Sequence, residues 1–287
     1  MAERYSLRSF EDARRFASVS EPFLLEREVA HCLILGLLPV LAREGMQQAF
    51  MGLVQDAGGA TVLVALRTPP HRLILSEFAD GHEPREVVEP LVAAVATTPG
   101  VLGAPSSSGA FARAWGEATG QAVELTQSER VYVCTEVVDA RSTEGVMVRG
   151  GADDLGLLAD WLLAFRLEAT PTDPRSGRAA AVEDVKRDLA AAAGGLWLWQ
   201  VGGRPVSMAG ARGPTRNGIR IGPVYTPPQL RGNGYAGALT AALTRELLAG
   251  GRRHVTLFAD LGNPVANHIY QKIGYRPAAE QRVYGFR

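Results

Sequence analysis

The stretch from Arg220 to Ala236 constrains this chain more than any other. It reads as a β-strand over 218–225 that runs into a turn and then into an Ala- and Leu-rich helix over 235–248. Pro223 has no N–H to give to a neighbouring strand, so inside a strand it marks an edge or a bulge. A bulge at Gly222-Pro223 splays this strand from its neighbour. That opens a slot and frees backbone groups to bond a ligand lying in it. Gly232 and Gly234 then sit at the helix entry, where glycine lets the backbone approach a ligand closely. The first N–H groups of a helix lack internal partners and lie at the positive end of its dipole. The amides from Arg231 to Ala236 therefore suit a pyrophosphate, with the fixed charge of Arg231 beside them.

The remaining chain supplies strands and helices around this stretch. In the first half, Ser20-Glu21-Pro22 reads as a helix start, with the helix ending or kinking near Pro39. Strand-like runs follow at 48–54, 61–67 and 73–77, then a helix at 84–96, a strand at 101–104, a helix at 109–118 stopped by Gly120, and β-rich sequence at 123–138. A fresh unit begins with a strand at 146–149. Helices at 153–168 and 182–193 come next, and 196–201 with 206–212 form a hairpin about Gly202-Gly203-Arg204-Pro205. Beyond the 218–248 segment lie a strand at 254–259, a helix at 264–273 and a strand at 282–286.

The polar stretch 139–144 marks the boundary, giving domains 1–140 and 141–287. The halves echo each other. Trp115-Gly116-Glu117-Ala118-Thr119-Gly120 precedes Glu129-Arg130-Val131-Tyr132, as Tyr270-Gln271-Lys272-Ile273-Gly274 precedes Gln281-Arg282-Val283-Tyr284. The expected class is α/β with α+β character, built as a tandem duplication.

Composition excludes several classes. Thirty Lys and Arg balance thirty Asp and Glu, which argues against nucleic acid as a partner. The longest apolar run, 29–42, is shorter than the ~20 residues of a membrane span, and the polar start of the chain is no secretory signal. Cys32 and Cys134 have neither metal spacing nor the density of a disulfide scaffold, so a reducing cytoplasm is expected. His31, His71, His82, His254 and His268 show no paired ligand spacing, and no metal is expected. Trp197 and Trp199 alternate along a strand and belong to one face of a core.

Two motifs carry a family resemblance. Arg231-Gly232-Asn233-Gly234-Tyr235-Ala236 resembles the pyrophosphate loop of the GCN5-related N-acetyltransferases, Gln/Arg-x-x-Gly-x-Gly/Ala. The segment from Asn263 to Tyr275 resembles the same family's Asn…Tyr-x-x-x-Gly-Phe, with Tyr275 in place of Phe. The resemblance covers roughly residues 144–287, and the first half shares it only through the echo. It implies tandem domains, each a central, mostly antiparallel twisted sheet flanked by helices, with acetyl-CoA held in the splayed cleft of the second. It implies that Val224, with Tyr225 and Thr226 after it, lies along the acetyl and pantetheine part, that Arg231, Gly232, Asn233, Gly234, Tyr235 and Ala236 hold the pyrophosphate, and that Asn263 bonds the pantetheine arm. Tyr270 is implied as the general acid toward the departing thiolate. The implied reaction is acetyl transfer to a primary amine by direct attack in a ternary complex.

The chemistry is consistent on its own terms. A backbone N–H near Val224 suits the oxyanion that forms when an amine attacks a thioester. A phenol with an ordinary pKa near 10 suits a leaving thiolate whose thiol sits near 8.5. Asn263 and Tyr270, seven residues apart, share a helix face. Glu168, Asp173 and Asp260 are the carboxylates that could take the amine proton. The first half lacks the glycine loop and has Trp115 where Tyr270 stands. It is expected to be cofactor-free, shaping the acceptor pocket or forming a homodimer.

Two rival readings stand beside this one. Gly232-x-Gly234-x-x-Gly237 also matches a dinucleotide fingerprint, with Asp260 as the ribose-binding acid of an NAD(P)-dependent oxidoreductase. Six residues, Thr226 to Arg231, separate strand from first glycine, whereas the dinucleotide turn is tight. A non-catalytic acyl-CoA-binding protein is the other.

Overall fold

The computed structural model describes residues 4–45, 48–138, 143–169 and 175–287. The first half runs β1 (Tyr5–Ser9), α1 (Ala13–Leu25), α2 (Cys32–Glu44), β2 (Phe50–Asp56), β3 (Thr61–Arg67), β4 (Leu73–Leu75), α3 (Pro84–Ala94), β5 (Gly100–Gly103), α4 (Pro105–Thr119) and β6 (Val123–Cys134). The second half is β7 (Val146–Arg149), α5 (Leu155–Ala169), α6 (Arg178–Leu189), β8 (Gly195–Val201), β9 (Arg204–Arg212), β10 (Gly218–Tyr225), α7 (Tyr235–Ala249), β11 (His254–Asp260), α8 (Pro264–Lys272) and β12 (Arg276–Phe286). The order of strands and long helices is the same in both. The repeat extends to pairing, because β4 runs parallel to β5 and β10 parallel to β11, while the remaining characterised neighbours are antiparallel.

The chain forms two compact units, one of Met1–Val131 with Ala278–Arg287, the other of Tyr132–Pro277. The expected boundary at 140/141 lies outside the described residues. Residues 278–287, placed by sequence in the second domain, pack in the first unit. The strand order in the first unit is β1-β2-β3-β4-β5-β12-β6 and in the second β7-β8-β9-β10-β11-β6. Arg282–Gly285 of β12 pair antiparallel with Gly103–Gly100 of β5. Phe286 lies 5.6 Å from the Trp115 ring and 6.4 Å from Phe111, inside the same apolar cluster.

The first unit buries both faces of its sheet. Val54, Leu63, Ala65 and Leu73 point to a core with α3 and α4, while Leu53, Val64, Leu66 and Ile74 point to one with α1 and α2. This explains why these strands read as unbroken apolar runs instead of alternating ones. The second unit is built likewise. Trp197 and Trp199 join the core under α7, as their alternation predicts, and Leu196 and Leu198 join the core under α5 and α6. The glycines between β8 and β9, Gly202 at φ 55° and Gly203 at φ 75°, close the hairpin.

The beginning of the chain differs from expectation. The first helix starts at Asp12, whose carboxylate accepts from the Arg14 and Arg15 amides, and Pro22 lies within it. Asp12 satisfies two orphan amides at once, a stronger start than Ser20 offers. The chain then breaks between α1 and α2. There the buried His31 donates from Nδ1 to the Leu24 carbonyl at 3.0 Å and accepts the Glu77 amide at Nε2, 3.1 Å. The break therefore comes before Pro39, which is inside α2, and the helix ends at Gly45 in the left-handed region. Strand β1 escaped the sequence reading because only Tyr5 among its five residues is buried. Among the described residues no helix is long and apolar enough to cross a membrane, and both cysteines are buried, neither of them in a disulfide.

Candidate functional site

The site lies in the second unit, where β10 leaves its neighbours. Its parallel ladder with β11 runs only from Gly218↔His254 to Ile221↔Leu257. On the other edge Ile221 faces Ala211 but Val224 faces Ala209, a register shift across Gly222-Pro223. The predicted bulge is present. It brings backbone close to backbone: a Cβ on Gly210 would stand 3.0 Å from the Gly222 carbonyl oxygen and 3.2 Å from Pro223. Beyond Leu257, β11 continues to Asp260 without pairing to β10, so the two strands part around Val224.

The slot ends at the start of α7. A single 3-10 turn over Pro228–Leu230 leads to Arg231 in extended conformation. Gly232 at φ 83° and Gly234 at φ 81° then take left-handed conformations, and Gly234 is the N-cap of α7. The first bond into the helix is from Ala238 to Gly234, so the amides of Tyr235, Ala236 and Gly237 have no carbonyl partner within it. No acid lies in the first turn. The loop closes on itself through Asn233, whose Nδ2 donates to the Leu230 carbonyl at 3.0 Å and the Arg231 carbonyl at 3.3 Å. Residues 231–234 are exposed, while Tyr235 and Ala236 are half-buried.

Arg231 departs from expectation. Its side chain turns away from the amide cradle, donating to Glu168 Oε2 at 2.6 Å and to the Thr226 carbonyl at 2.9 Å. Its guanidinium carbon lies 5.8 Å from the centre of the Tyr225 ring. The charge expected beside the pyrophosphate is thus paired with Glu168. Tyr225 is buried against Trp161, ring centres 6.3 Å apart. Burial, then the Glu168 charge, raises its pKa. Thr226 shares a 2.9 Å hydrogen bond with Ser207. Of the three carboxylates considered as bases, Glu168 is the one beside Tyr225. Asp260 caps its own turn through Gly262, and Asp173 lies outside the described residues.

Asn263 precedes α8 and Tyr270 lies in its last turn. Asn263 is the N-cap, its side chain accepting the Ala266 amide at 3.0 Å. That bond uses its oxygen and leaves its amide nitrogen for a ligand. Asn263 therefore precedes the helix instead of sitting on its face. Tyr270 is half-buried, with Tyr132 and Tyr275 rings 6.5 and 6.1 Å away. Burial pushes its phenol up to about 12. A phenol at about 12 keeps its proton when facing a thiolate whose conjugate acid sits near 8.5. Tyr270 is thus a hydrogen-bond donor before it is a proton donor.

Behind Tyr270 lies a network that sequence reasoning did not single out. The Tyr132 hydroxyl donates to Asn267 Oδ1 at 2.7 Å and accepts from Gln271 at 3.0 Å. Asn267 in turn donates to the carbonyls of Asp260 and Asn263, both at 2.7 Å. It ties the end of β11 to the first turn of α8. The one available signal was its place four residues after Asn263. Tyr275 shares a 2.7 Å bond with Thr244 of α7, which explains a tyrosine where the motif carries phenylalanine.

The dinucleotide reading fails on topology. That fold needs successive parallel strands, but β10 is antiparallel to β9, and β9 to β8.

Residues 202–284 match the family model described as FR47-like protein. No curated protein sequence matches the chain. A solved Drosophila protein is similar over 98% of both chains, at 15% identity and a TM-score of 0.67. A GNAT-family acetyltransferase from Colwellia psychrerythraea is similar over 98% of both chains, at 11% identity and a TM-score of 0.60. A GCN5-related N-acetyltransferase from Sphaerobacter thermophilus covers 99% of this chain with 96% of its own, at 16% identity and a TM-score of 0.60. The chain has the GCN5-related N-acetyltransferase fold across nearly its whole length and carries an FR47-like segment at residues 202–284.

Proposed function

We propose that this protein transfers an acetyl group from acetyl-CoA to a primary amine by direct attack in a ternary complex, using the cleft of the second unit. The observation that carries this reading is the parting of β10 from β11 directly before a glycine-lined helix start with free amides. The residues fit the group. Space is open around Gly232, where an added Cβ would meet nothing within 4 Å. The dipole end of α7 holds no acid of its own.

In this reading the amides of residues 232–236 hold the pyrophosphate, and Asn263 offers its side-chain nitrogen to the pantetheine arm. Val224, Tyr225 and Thr226 present the splayed strand, with the Val224 amide placed toward the acyl oxygen, where negative charge develops. Acetyl-CoA supplies an activated thioester. Tyr270 donates a hydrogen bond to the departing sulfur, and the Tyr132–Asn267–Gln271 network holds its helix against β11.

The first unit serves without cofactor. Its equivalent helix, α3, begins at Glu83 with Pro84 at its first position and Glu86 in its first turn. The loop before it carries Glu77 and Asp80, both paired with Arg27 at 3.1 and 2.8 Å. Glu83 and Glu86 thus stand at the end of the helix that a pyrophosphate would use, and proline removes one amide.

The test is calorimetric titration of acetyl-CoA into wild type and Gly234→Trp. Binding to wild type that is lost in the variant supports the reading. Absence of binding to wild type overturns it.

A further inference from the structure

The ion pair between Arg231 and Glu168 has a particular setting. Glu168 is the penultimate residue of α5; its carboxylate accepts from the Arg231 guanidinium at 2.6 Å, and its charge acts on Tyr225. Tyr225 forms an aromatic wall with Trp161, and the guanidinium lies over the Tyr225 ring. A carboxylate beside two aromatic rings is a seat for a cation. Here the chain's own arginine fills it. The side chains of Arg231 and Glu168 are 48% and 46% exposed, so neither charge is locked by burial. Exchanging one cation for another at such a pair costs little. The occupant is also the residue that opens the amide cradle, directly before Gly232, and the seat's floor, Tyr225, directly follows Val224.

We propose that Arg231 is a placeholder: a pyrophosphate in the 232–236 cradle draws its guanidinium away, and the vacated seat of Glu168, Tyr225 and Trp161 then receives a cationic group of the acceptor. This rests on the cofactor reading above and extends it to substrate class and binding order. The seated cation is not the attacking nitrogen. A nucleophilic amine must be neutral, and a carboxylate contact holds an amine protonated. The acceptor therefore carries two basic groups, as a diamine or a basic amino acid does. One is held as ammonium on Glu168. The other, uncharged, forms the new C–N bond as the thioester C–S bond breaks, and the proton that nitrogen loses balances the charge of the departing thiolate. Donor binding precedes acceptor binding, because the seat is filled until the donor's phosphates arrive.

The experiment uses full-length protein, CoA, and 1,5-diaminopentane as the probe, with n-pentylamine as its single-charge counterpart. Calorimetry measures each amine with and without saturating CoA, in wild type and Glu168→Gln. Diaminopentane is expected to bind CoA-saturated wild type about tenfold more tightly than CoA-free wild type, and more tightly than pentylamine. Glu168→Gln removes that gain. The same variant binds CoA as well as wild type or up to about fivefold better, since Arg231 is released. A merely structural tie between α5 and the loop predicts weaker CoA binding in the variant, and that result overturns the proposal. So does diaminopentane binding that ignores CoA, survives Glu168→Gln or is undetectable in CoA-saturated wild type. Failure of CoA to bind wild type would instead refute the underlying cofactor reading.

Discussion

Replacing Asp184 by alanine is the sharpest test of how the second unit holds its helix pair together. Asp184 on α6 accepts from Arg166 at 2.5 Å, from Arg175 at 2.7 Å and from Arg187 at 2.8 Å. Its side chain is 10% exposed and that of Arg166 8%. Arg166 comes from α5 and Arg175 precedes α6, so one carboxylate fastens both sides of the α5–α6 connection. Burial alone would raise the Asp184 pKa, but the bond to Arg166 and the charges of Arg175 and Arg166 bring it below the usual value. Removing the carboxylate leaves the buried Arg166 guanidinium, still bonded to the Arg175 carbonyl at 3.0 Å, without the anion that balances its charge. Breaking a buried pair in this way costs about 3–5 kcal/mol. At about 2–4 °C per kcal/mol for a domain of this size, the melting midpoint falls by roughly 6–20 °C. Arg187→Ala, which removes a partner whose side chain is 56% exposed, costs less than about 1 kcal/mol. Differential scanning fluorimetry on the two variants reads both numbers. Equal effects from Asp184→Ala and Arg187→Ala would show that burial does not govern this cluster. A second signature is pH. Because the folded pKa is lowered, the stabilisation is complete above the ordinary aspartate range and is lost as pH falls through the folded value, and Asp184→Ala lacks that acid limb.

Three further outcomes follow from other positions. Gly234→Ala meets a φ of 81° and puts a Cβ 3.1 Å from Thr143, so it destabilises by about 1–2 kcal/mol, whereas Gly156→Ala, on α5 with nothing within 4 Å, stabilises by about 0.5–1 kcal/mol; chemical denaturation that finds the same sign for both refutes the argument. His31 has its pKa lowered by burial and both ring nitrogens engaged, so the folded state resists the second proton. Its contribution is present above about 6.5 and falls as pH drops below that, by up to about 1.4 kcal/mol per pH unit, until the folded value is reached; unfolding midpoints between pH 7 and 5 in wild type and His31→Gln measure the difference. Tyr270→Phe leaves acetyl-CoA affinity nearly unchanged and lowers kcat by about 10²–10⁴-fold, and wild type shows no Tyr270-dependent falling limb in its rate profile below about pH 12.

Much of the candidate site was legible because its signals are local. Pro223 inside a strand and glycines at a helix entry each state a backbone requirement, and the bulge and the two left-handed turns stand where those residues put them. What failed to show is the part set by side chains distant in sequence. Nothing near Arg231 announces Glu168, 63 residues earlier. Nothing near Tyr270 announces Tyr132, whose partners lie 135 and 139 residues away. The start of α1 was misread for a different reason. Proline usually opens a helix, and Ser20-Glu21-Pro22 has that form, but α1 is capped by Asp12 and accommodates Pro22 in its interior. The echo between the halves was readable where helix, glycine and Arg-Val-Tyr strand recur. That β12 serves the first unit was not, because it is continuous with the half that precedes it.

That return of the last strand to the first unit bears on how the molecule is made. When residue 140 leaves the ribosome, the first unit still lacks the strand that lies between β5 and β6. Its open edge at β5 stays a template for wrong pairing until residues 278–287 have been synthesised. The first half is therefore not a module that could be cut away cleanly. A deletion of the ten final residues would be felt in the sequence-distant half of the protein, and a lineage that carries this arrangement keeps both halves whether or not both bind a ligand.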